Sequence, residues 1–283
     1  MKIGFCTFEQ FWGRKNIGST RIRARWVYEN WGNPEDEVEE YKIGKEYDVL
    51  IFQKVYWPEF AKGFKGIKIL DLCDPDWYEF GAKVVEMIEC CDAVTCSSPA
   101  LTDFIKSVTS KPVYYVADRE DLSKLPAPKV HEGPIKKVAW FGYDHNNSVL
   151  DSALGALEKR DIELIVVSNK PYTKPSNSKV KITNYPWTEL SVDQDLLRAD
   201  VVLNPKPLVG PSKYKSENKT VHAWALGLPV AKTEDMLDSL NNPQVRQQVA
   251  DQLREKAFAE YDVKQSAKQY QEIIKSILDV KGN

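Results

Sequence analysis

KYKSENKTVHAWALGLPV, running from Lys213 to Val230, decides the reading of this 283-residue chain. Directly before it, LLRADVVLNPKP sets a short apolar run, Val201-Val202-Leu203, between Ala199-Asp200 and Asn204-Pro205. An apolar run closed by a turn signal is the pattern of a buried strand. A polar loop follows, then Ser216-Glu217-Asn218, an apolar helix ending at Gly227, and a second strand start at Pro229-Val230. A strand that passes to a helix through such a loop makes an anion site. The first N–H groups of the helix lack intrahelical partners, its dipole favours negative charge there, and Lys213, Lys215 and Lys219 add full charges. The expected occupant is a phosphate or diphosphate.

The same block resembles the donor-binding segment of GT-B glycosyltransferases of the retaining, glycogen-synthase-like type (group 1, family 4-like). The likeness is carried by Lys215, Ser216, Asn218, Lys219, Ala223, Gly227, Pro229 and Val230. It implies two Rossmann-like, doubly wound α/β domains facing across a cleft. It also implies transfer of a sugar from a nucleotide diphosphate sugar to a hydroxyl, with retention, without a cofactor and without a required metal. Lys213, Lys215, Ser216, Glu217, Asn218, Lys219, Thr220 and His222 are then the donor-binding residues, with Lys219 also catalytic. His222 is a departure, because the family has Glu there to hold the nucleotide ribose.

Working outward, the first half alternates strands and helices: strands at Lys2 to Phe8, Tyr47 to Phe52, Ile67 to Leu72, Ala93 to Cys96 and Val113 to Val116. Helices fall at Thr20 to Trp31, Trp77 to Cys90 and Pro99 to Ser107. That rhythm predicts a parallel, doubly wound sheet. The Pro-rich polar stretch DLSKLPAPKVHEGP, 121–134, reads as a linker. A second set follows: a strand at VAWFGY from Val138, a helix over Ser148 to Lys159, strands at Ile162 to Val167 and Val180 to Ile182, and a helix near Val192 to Arg198. The expected division is 1–125 for an acceptor-side domain and 135–261 for the donor domain. In many GT-B chains the last helix, here about 262–283, crosses back onto the first domain. Neither half carries GxGxxG after its first strand, which argues against a dinucleotide dehydrogenase. Open α/β sheets bind ligands beyond their carboxyl strand ends, so the expected site is the cleft between the two.

Three further stretches bear chemistry. Asn16-Ile17-Gly18-Ser19-Thr20 precedes a helix opening with Arg21, Arg23 and Arg25; a small-residue turn admits a ligand close to backbone, and Ser19 or Thr20 can cap the helix. Arg21 and Arg23 point about 200° apart on an α-helix, and Gly18, Ser19 and Arg21 are taken as the acceptor or phosphate side. Asp71-Leu72-Cys73-Asp74-Pro75-Asp76-Trp77 ends a buried strand; its turn carboxylates can accept a proton from an acceptor hydroxyl, with Asp74 the catalytic candidate, or can form a turn with a helix cap. Ser98 before Pro99 reads as a cap. Gly142-Tyr143-Asp144-His145-Asn146 closes the first strand of the second half. The resembling enzymes place Gly-Arg and a nearby Lys against the diphosphate here, whereas this chain has Tyr143. Gly142, Asn146 and His145, the last also a catalytic candidate, are the expected substitutes. Tyr185, in Tyr185-Pro186-Trp187, is expected beside the nucleobase, and Ser168-Asn169-Lys170 near the same pocket.

A net charge of −2 gives the chain as a whole no electrostatic hold on nucleic acid. No apolar run reaches membrane-span length and MKIGFCTF enters a strand directly, so a cytoplasmic protein is expected. Cys6, Cys73, Cys90, Cys91 and Cys96 form no CxxC pair and read as free thiols of a reducing compartment. The acceptor is open among glycan, lipid-linked sugar, small molecule and modified DNA base, and oligomeric state is unassigned. An epimerase acting on one nucleotide sugar, and a degenerate nucleotide-sugar binder, are the alternative readings.

Overall fold

A computed structural model describes residues 1–13, 15–205 and 210–282. The chain forms two compact units. The first comprises Met1–Asp121, the described part of Leu208–Glu217, and Tyr261–Asn283 up to residue 282; the second comprises the described part of Leu122–Pro207 together with Asn218–Glu260.

The first unit holds a six-stranded sheet built from β1 (Lys2–Thr7), β2 (Glu37–Glu40), β3 (Val49–Gln53), β4 (Ile67–Leu72), β5 (Ala93–Cys96) and β6 (Val113–Tyr115). Their order is β2-β1-β3-β4-β5-β6, and every pairing is parallel. Strand alternation divides β3 between two cores. Leu50 and Phe52 join Leu70, Leu72 and Cys96 on one face, while Val49 and Ile51 join Ile3, Phe5 and Ile69 on the other. Burial on both faces is why these strands read as unbroken apolar runs. The helix Val263–Lys281 closes the second face with Val263, Ala267, Tyr270, Ile274 and Ile277. Their spacing of four and three residues draws one apolar stripe along the helix.

The second unit holds β7 (Lys137–Phe141), β8 (Glu163–Ser168), β9 (Ile182–Pro186), β10 (Val201–Leu203) and β11 (Val230–Ala231) in the order β11-β10-β7-β8-β9, again all parallel. Between β7 and β10 the strand order reverses, and the corresponding reversal in the first sheet lies between β1 and β3. Loops leaving the carboxyl ends of strands at such a reversal splay apart and open a crevice. His131, from the linker stretch, is buried in this unit. Arg246 Nε donates to its Nδ1 at 3.1 Å, so its Nε2 carries the proton directed at Gly227 O, 2.9 Å away.

Several sequence expectations need correction. The helix expected over Thr20 to Trp31 starts at Gly18 and passes through a π turn, Arg21–Arg25, before ending at Glu29. Neither Ser19 nor Thr20 caps it: Ile17 holds the cap position, and Thr20 Oγ1 donates to Gln53 Oε1 at 3.1 Å. The helix expected over Trp77 to Cys90 breaks at Gly81, whose φ of 54° takes the chain out of the helical region. The one expected over Ser148 to Lys159 is a 3₁₀ segment, Asp144–Ala153, with a short α-helix, Leu154–Glu158. Tyr185 and Pro186 lie inside β9 rather than after it, and Pro186 is tolerated because β9 is an edge strand. β2 escapes a pattern search because Glu37-Val38-Glu39-Glu40 is an acidic edge with no buried residue. All five cysteines are free thiols, Cys90 alone being only part-buried. Among the described residues no helix is long and apolar enough to cross a membrane.

Candidate functional site

In the second unit the reversal point gathers the ends of β7 and β10 and the start of the helix Asn218–Ala225. Trp140 lies on the penultimate residue of β7 with 1% exposure, and Lys219 Nζ sits 4.6 Å from its ring centroid. An ammonium over an indole face is attracted by the ring quadrupole, and the ring itself takes none of its charge away. Gly142 follows at φ 151°, and a Cβ there would fall 2.5 Å from Lys219 Nζ. The backbone conformation therefore favours glycine, and a side chain here would displace the ammonium from its place. Asn204, buried at the end of β10, donates through Nδ2 to Thr220 Oγ1 at 3.2 Å, which ties the strand end to the first turn of the helix.

The loop beyond Gly142 is stapled to the end of β8. Asp144 accepts from Asn169 Nδ2 at 2.8 Å and pairs with Lys170 Nζ at 3.0 Å, and its own N–H donates to Asn169 Oδ1. Asn146 N–H closes a turn onto Tyr143 O, and the exposed His145 ring stacks on Tyr143 at 5.6 Å. Asp144 is thus the positioning carboxylate of this loop, a role that its one-letter context gave no sign of. His222 turns its Nε2 to Asp193 Oδ1, 2.9 Å away, and packs its ring on Phe141. That nitrogen is therefore committed to a carboxylate of the protein rather than to a ribose hydroxyl. Tyr185 lies under the Arg198 guanidinium at 5.2 Å.

The segment before the helix belongs to the other unit. Tyr214 is buried against Trp77 and Phe104, and Ser98 Oγ donates to its carbonyl at 2.6 Å while also capping the helix Pro99–Val108. Ser216 Oγ donates to Asp118, Lys213 Nζ lies over the Tyr214 ring, and Lys215 lies near enough to Asp74 to favour its ionised form. Lys213, Lys215, Ser216 and Glu217 are consequently placed in the first unit, whereas Asn218, Lys219, Thr220 and His222 are placed in the second.

In the first unit, the carboxyl ends of β3 and β4 carry a second cluster. Lys54 follows β3 in the left-handed region at φ 54°, a conformation that costs a non-glycine residue and recurs at functional sites. From there Lys54 Nζ reaches Asp74 at 2.7 Å and Asp76 at 3.2 Å. Tyr56 Oη donates to Asp76. The two carboxylates part company. For Asp74, burial opposes the charge but Lys54 outweighs it, and the acid is held below its ordinary value. For Asp76, burial prevails over Lys54, the charge of Asp74 adds to it, and the acid is raised to about 6. A base works best when its pKa lies near the working pH, so Asp76 is the better matched proton acceptor and Asp74 the more exposed partner. Lys54 and Tyr56 were not legible as members, since a lone Lys and Tyr after a strand carry no spacing signal.

Gly18 and Ser19 are part-exposed, and Arg21 lies with its guanidinium 5.2 Å from the Trp26 ring. The π turn directs Arg23 inward instead, to Asp71 and Asp118. A cavity of about 500 Å³, lined among others by Lys2, Tyr47, Asp48, Phe64 and Gly66, lies at the amino-terminal edge of the first sheet, at the opposite end of its strands from the Lys54 cluster.

Asp76 makes stability depend on pH with a fixed sign. The folded state holds its proton up to about pH 6, whereas an unfolded aspartate releases it near 3.9. Between those values the folded state binds more protons, so stability falls as pH rises, by roughly 2–3 kcal/mol, and is flat above. In Asp76→Asn, which keeps an acceptor for Tyr56, urea unfolding at pH 4.5, 5.5 and 6.5 should lack that decline. A difference between variant and wild type that does not change with pH would show an ordinary carboxylate.

These features define an α/β protein of two doubly wound parallel units, each with a polar cluster at the carboxyl ends of its strands: at the order reversal in the second, and beyond β3 and β4 in the first. No known family pattern matches the chain, and no curated protein matches it in sequence. Its fold does match solved structures. One is the lipopolysaccharide outer core galactosyltransferase WaaB in its apo form, with a TM-score of 0.64, 13% identity, and cover of 98% of this chain and 99% of that one. Another is T4 phage BGT in complex with UDP-glucose, with 0.59, 10%, and 99% and 100%. A third is a mutant of S. aureus TarM in complex with UDP, with 0.57 and 12%, of which this chain spans only 55% while 80% of this chain is covered. The chain has the fold of GT-B glycosyltransferases.

Proposed function

We propose that the protein is a glycosyltransferase that moves a sugar from a nucleotide diphosphate sugar to a hydroxyl acceptor. The observation that carries this is the ammonium of Lys219, held on Trp140 against Gly142 at the strand-order reversal of the second unit. That arrangement offers a cation, the first N–H groups of a helix and close backbone to an incoming diphosphate. On departure the nucleoside diphosphate gains negative charge, and fixed positive charge aimed there lowers the barrier. Asp76, with Lys54 and Tyr56, supplies the proton-accepting group for the hydroxyl. Retention and action without a metal belong to the same reading, supported by the resemblance in the Lys213 to Val230 segment; a cytoplasmic site of action is part of it on the separate ground that no apolar run reaches membrane-span length.

UDP, GDP, ADP or dTDP should raise the melting temperature, with the corresponding monophosphate far weaker. At 100 times its dissociation constant the best diphosphate adds ~2.7 kcal/mol. Calorimetric titration to millimolar concentration without binding of any of the four would remove the basis of the proposal.

A further inference from the structure

Three aromatic rings stand partly in solvent on the first unit, each from the segment that follows the carboxyl end of a different strand of its sheet. Trp12 follows β1 and is 46% exposed, Trp57 follows β3 at 49%, and Tyr78 follows β4 at 66%. Large rings in water are costly when grouped, and a group of them on one edge marks a binding surface. Packing beneath them links these rings to the carboxylate cluster. Trp12 lies 5.3 Å from Phe80, Phe80 lies 4.9 Å from Tyr56, and Tyr56 donates to Asp76. Trp57 is set at 6.0 Å from Phe11, the neighbour of Trp12. Tyr78 lies 5.8 Å from Trp77, which is itself wedged against Phe104 at 4.6 Å. Trp12 therefore stands on a run of aromatic contacts that ends at the proton-accepting group, while Trp57 rests on Phe11 and Phe60 and Tyr78 on Trp77.

Charge selects among the ligands that stack on such rings. The three segments, residues 8–17, 54–62 and 74–83, contain as many Asp and Glu as Lys and Arg. A nucleic acid strand is bound through aromatic stacking combined with a positive groove that tracks its phosphates, and an anionic membrane likewise calls for excess Lys and Arg. A neutral sugar chain needs neither. The C–H faces of its rings lie on the negative faces of indole and phenol rings, and its hydroxyls find acceptors in side chains such as Glu59 and Glu79, both exposed on the same segments.

We infer that Trp12, Trp57 and Tyr78 form a stacking platform for a neutral glycan chain, whose terminal hydroxyl is thereby brought to the Asp76 cluster. This rests on the transferase reading for its last clause alone, because stacking requires no donor. The test titrates the full-length protein, without nucleotide, with maltohexaose, cellohexaose and chitohexaose, and in parallel with the oligonucleotide dT10 and with phosphatidylcholine vesicles, following tryptophan fluorescence. Saturable binding of at least one hexasaccharide is expected, weakened tenfold or more in both Trp12→Ala and Trp57→Ala, with both variants still melting cooperatively above the assay temperature and with UDP affinity as in wild type. Binding of dT10 or vesicles in preference to all three sugars would overturn the inference. So would the absence of any hexasaccharide binding, or binding unaffected by both substitutions. UDP titration of the same samples separates the two proposals: a platform that binds sugar in a protein that ignores diphosphates sinks the transferase reading and leaves the platform standing.

Discussion

Lys219→Ala should lower turnover of the nucleotide sugar by ~10²-fold or more, the size of effect that follows loss of one preorganised charge-stabilising group at a leaving group. Lys219 is preorganised from two sides: the Trp140 face fixes its ammonium at 4.6 Å, and the missing Cβ of Gly142 leaves it room. Lys219→Arg should restore little, because the planar guanidinium is wider than the ammonium it would replace in the space beside Gly142. Gly142→Ala tests the same point from the backbone, since its methyl would fall 2.5 Å from Nζ and push the ammonium aside, and φ 151° is strained for alanine. The measurement is release of nucleoside diphosphate from the donor, by transfer or by hydrolysis, together with diphosphate affinity and a melting curve. Turnover of Lys219→Ala within about threefold of wild type, with the melting curve unchanged, would assign this lysine to structure alone.

What the sequence disclosed follows from which physical signals are local. The buried parallel strands were legible because both faces are apolar: Tyr47 to Phe52 and Ile67 to Leu72 announce β3 and β4 to within a residue or two. Lys219 and Gly142 were legible because a helix start and a strand end carry turn chemistry in their neighbours. The failures share a cause as well. The π turn at Arg21–Arg25 arises because one residue, Arg23, must reach Asp71, 48 positions away, and no local periodicity reports that. The break at Gly81 depends on a backbone angle that glycine permits but does not announce. Lys213 to Glu217 read as one loop with Lys219, yet Tyr214 is anchored by Trp77, Phe104 and the Ser98 hydroxyl, partners more than a hundred residues earlier. Asp76 is separated from Asp74 in character by burial and by Tyr56, neither of which a DPD tripeptide reveals.

Arg23→Leu should destabilise the first unit by ~3–5 kcal/mol, the range found when one partner of a buried ion pair is removed. Arg23 is 2% exposed and engages every face of its fork. Its Nε donates to Asp71 Oδ2 at 2.8 Å, one terminal nitrogen pairs with the other Asp71 oxygen, and the second donates to Asp118 at 2.7 Å and to Val116 O at 2.8 Å. Asp71 is fully buried, and although the hydroxyls of Thr95 and Tyr270 also donate to it, neither carries the compensating charge. Loss of the guanidinium strips both carboxylates of the cation that bridges them, a far larger penalty than the loss of a hydrogen bond between neutral groups. Arg23→Leu combined with Asp71→Leu should recover part of the loss, because a buried pair replaced whole by apolar groups costs less than a pair broken by half. Urea unfolding of the single and double variants measures this, and a single-variant loss below about 1 kcal/mol would show the pair to be no stronger than an exposed one. The same substitution has a functional consequence. Asp118 receives the Ser216 hydroxyl at 2.5 Å, so the arginine, through that carboxylate, fixes the segment that carries Lys213 and Lys215. A variant that still folds below its melting transition should therefore hold this segment less firmly, and proteolysis between residues 210 and 217 should quicken relative to wild type while cleavage in the second unit does not.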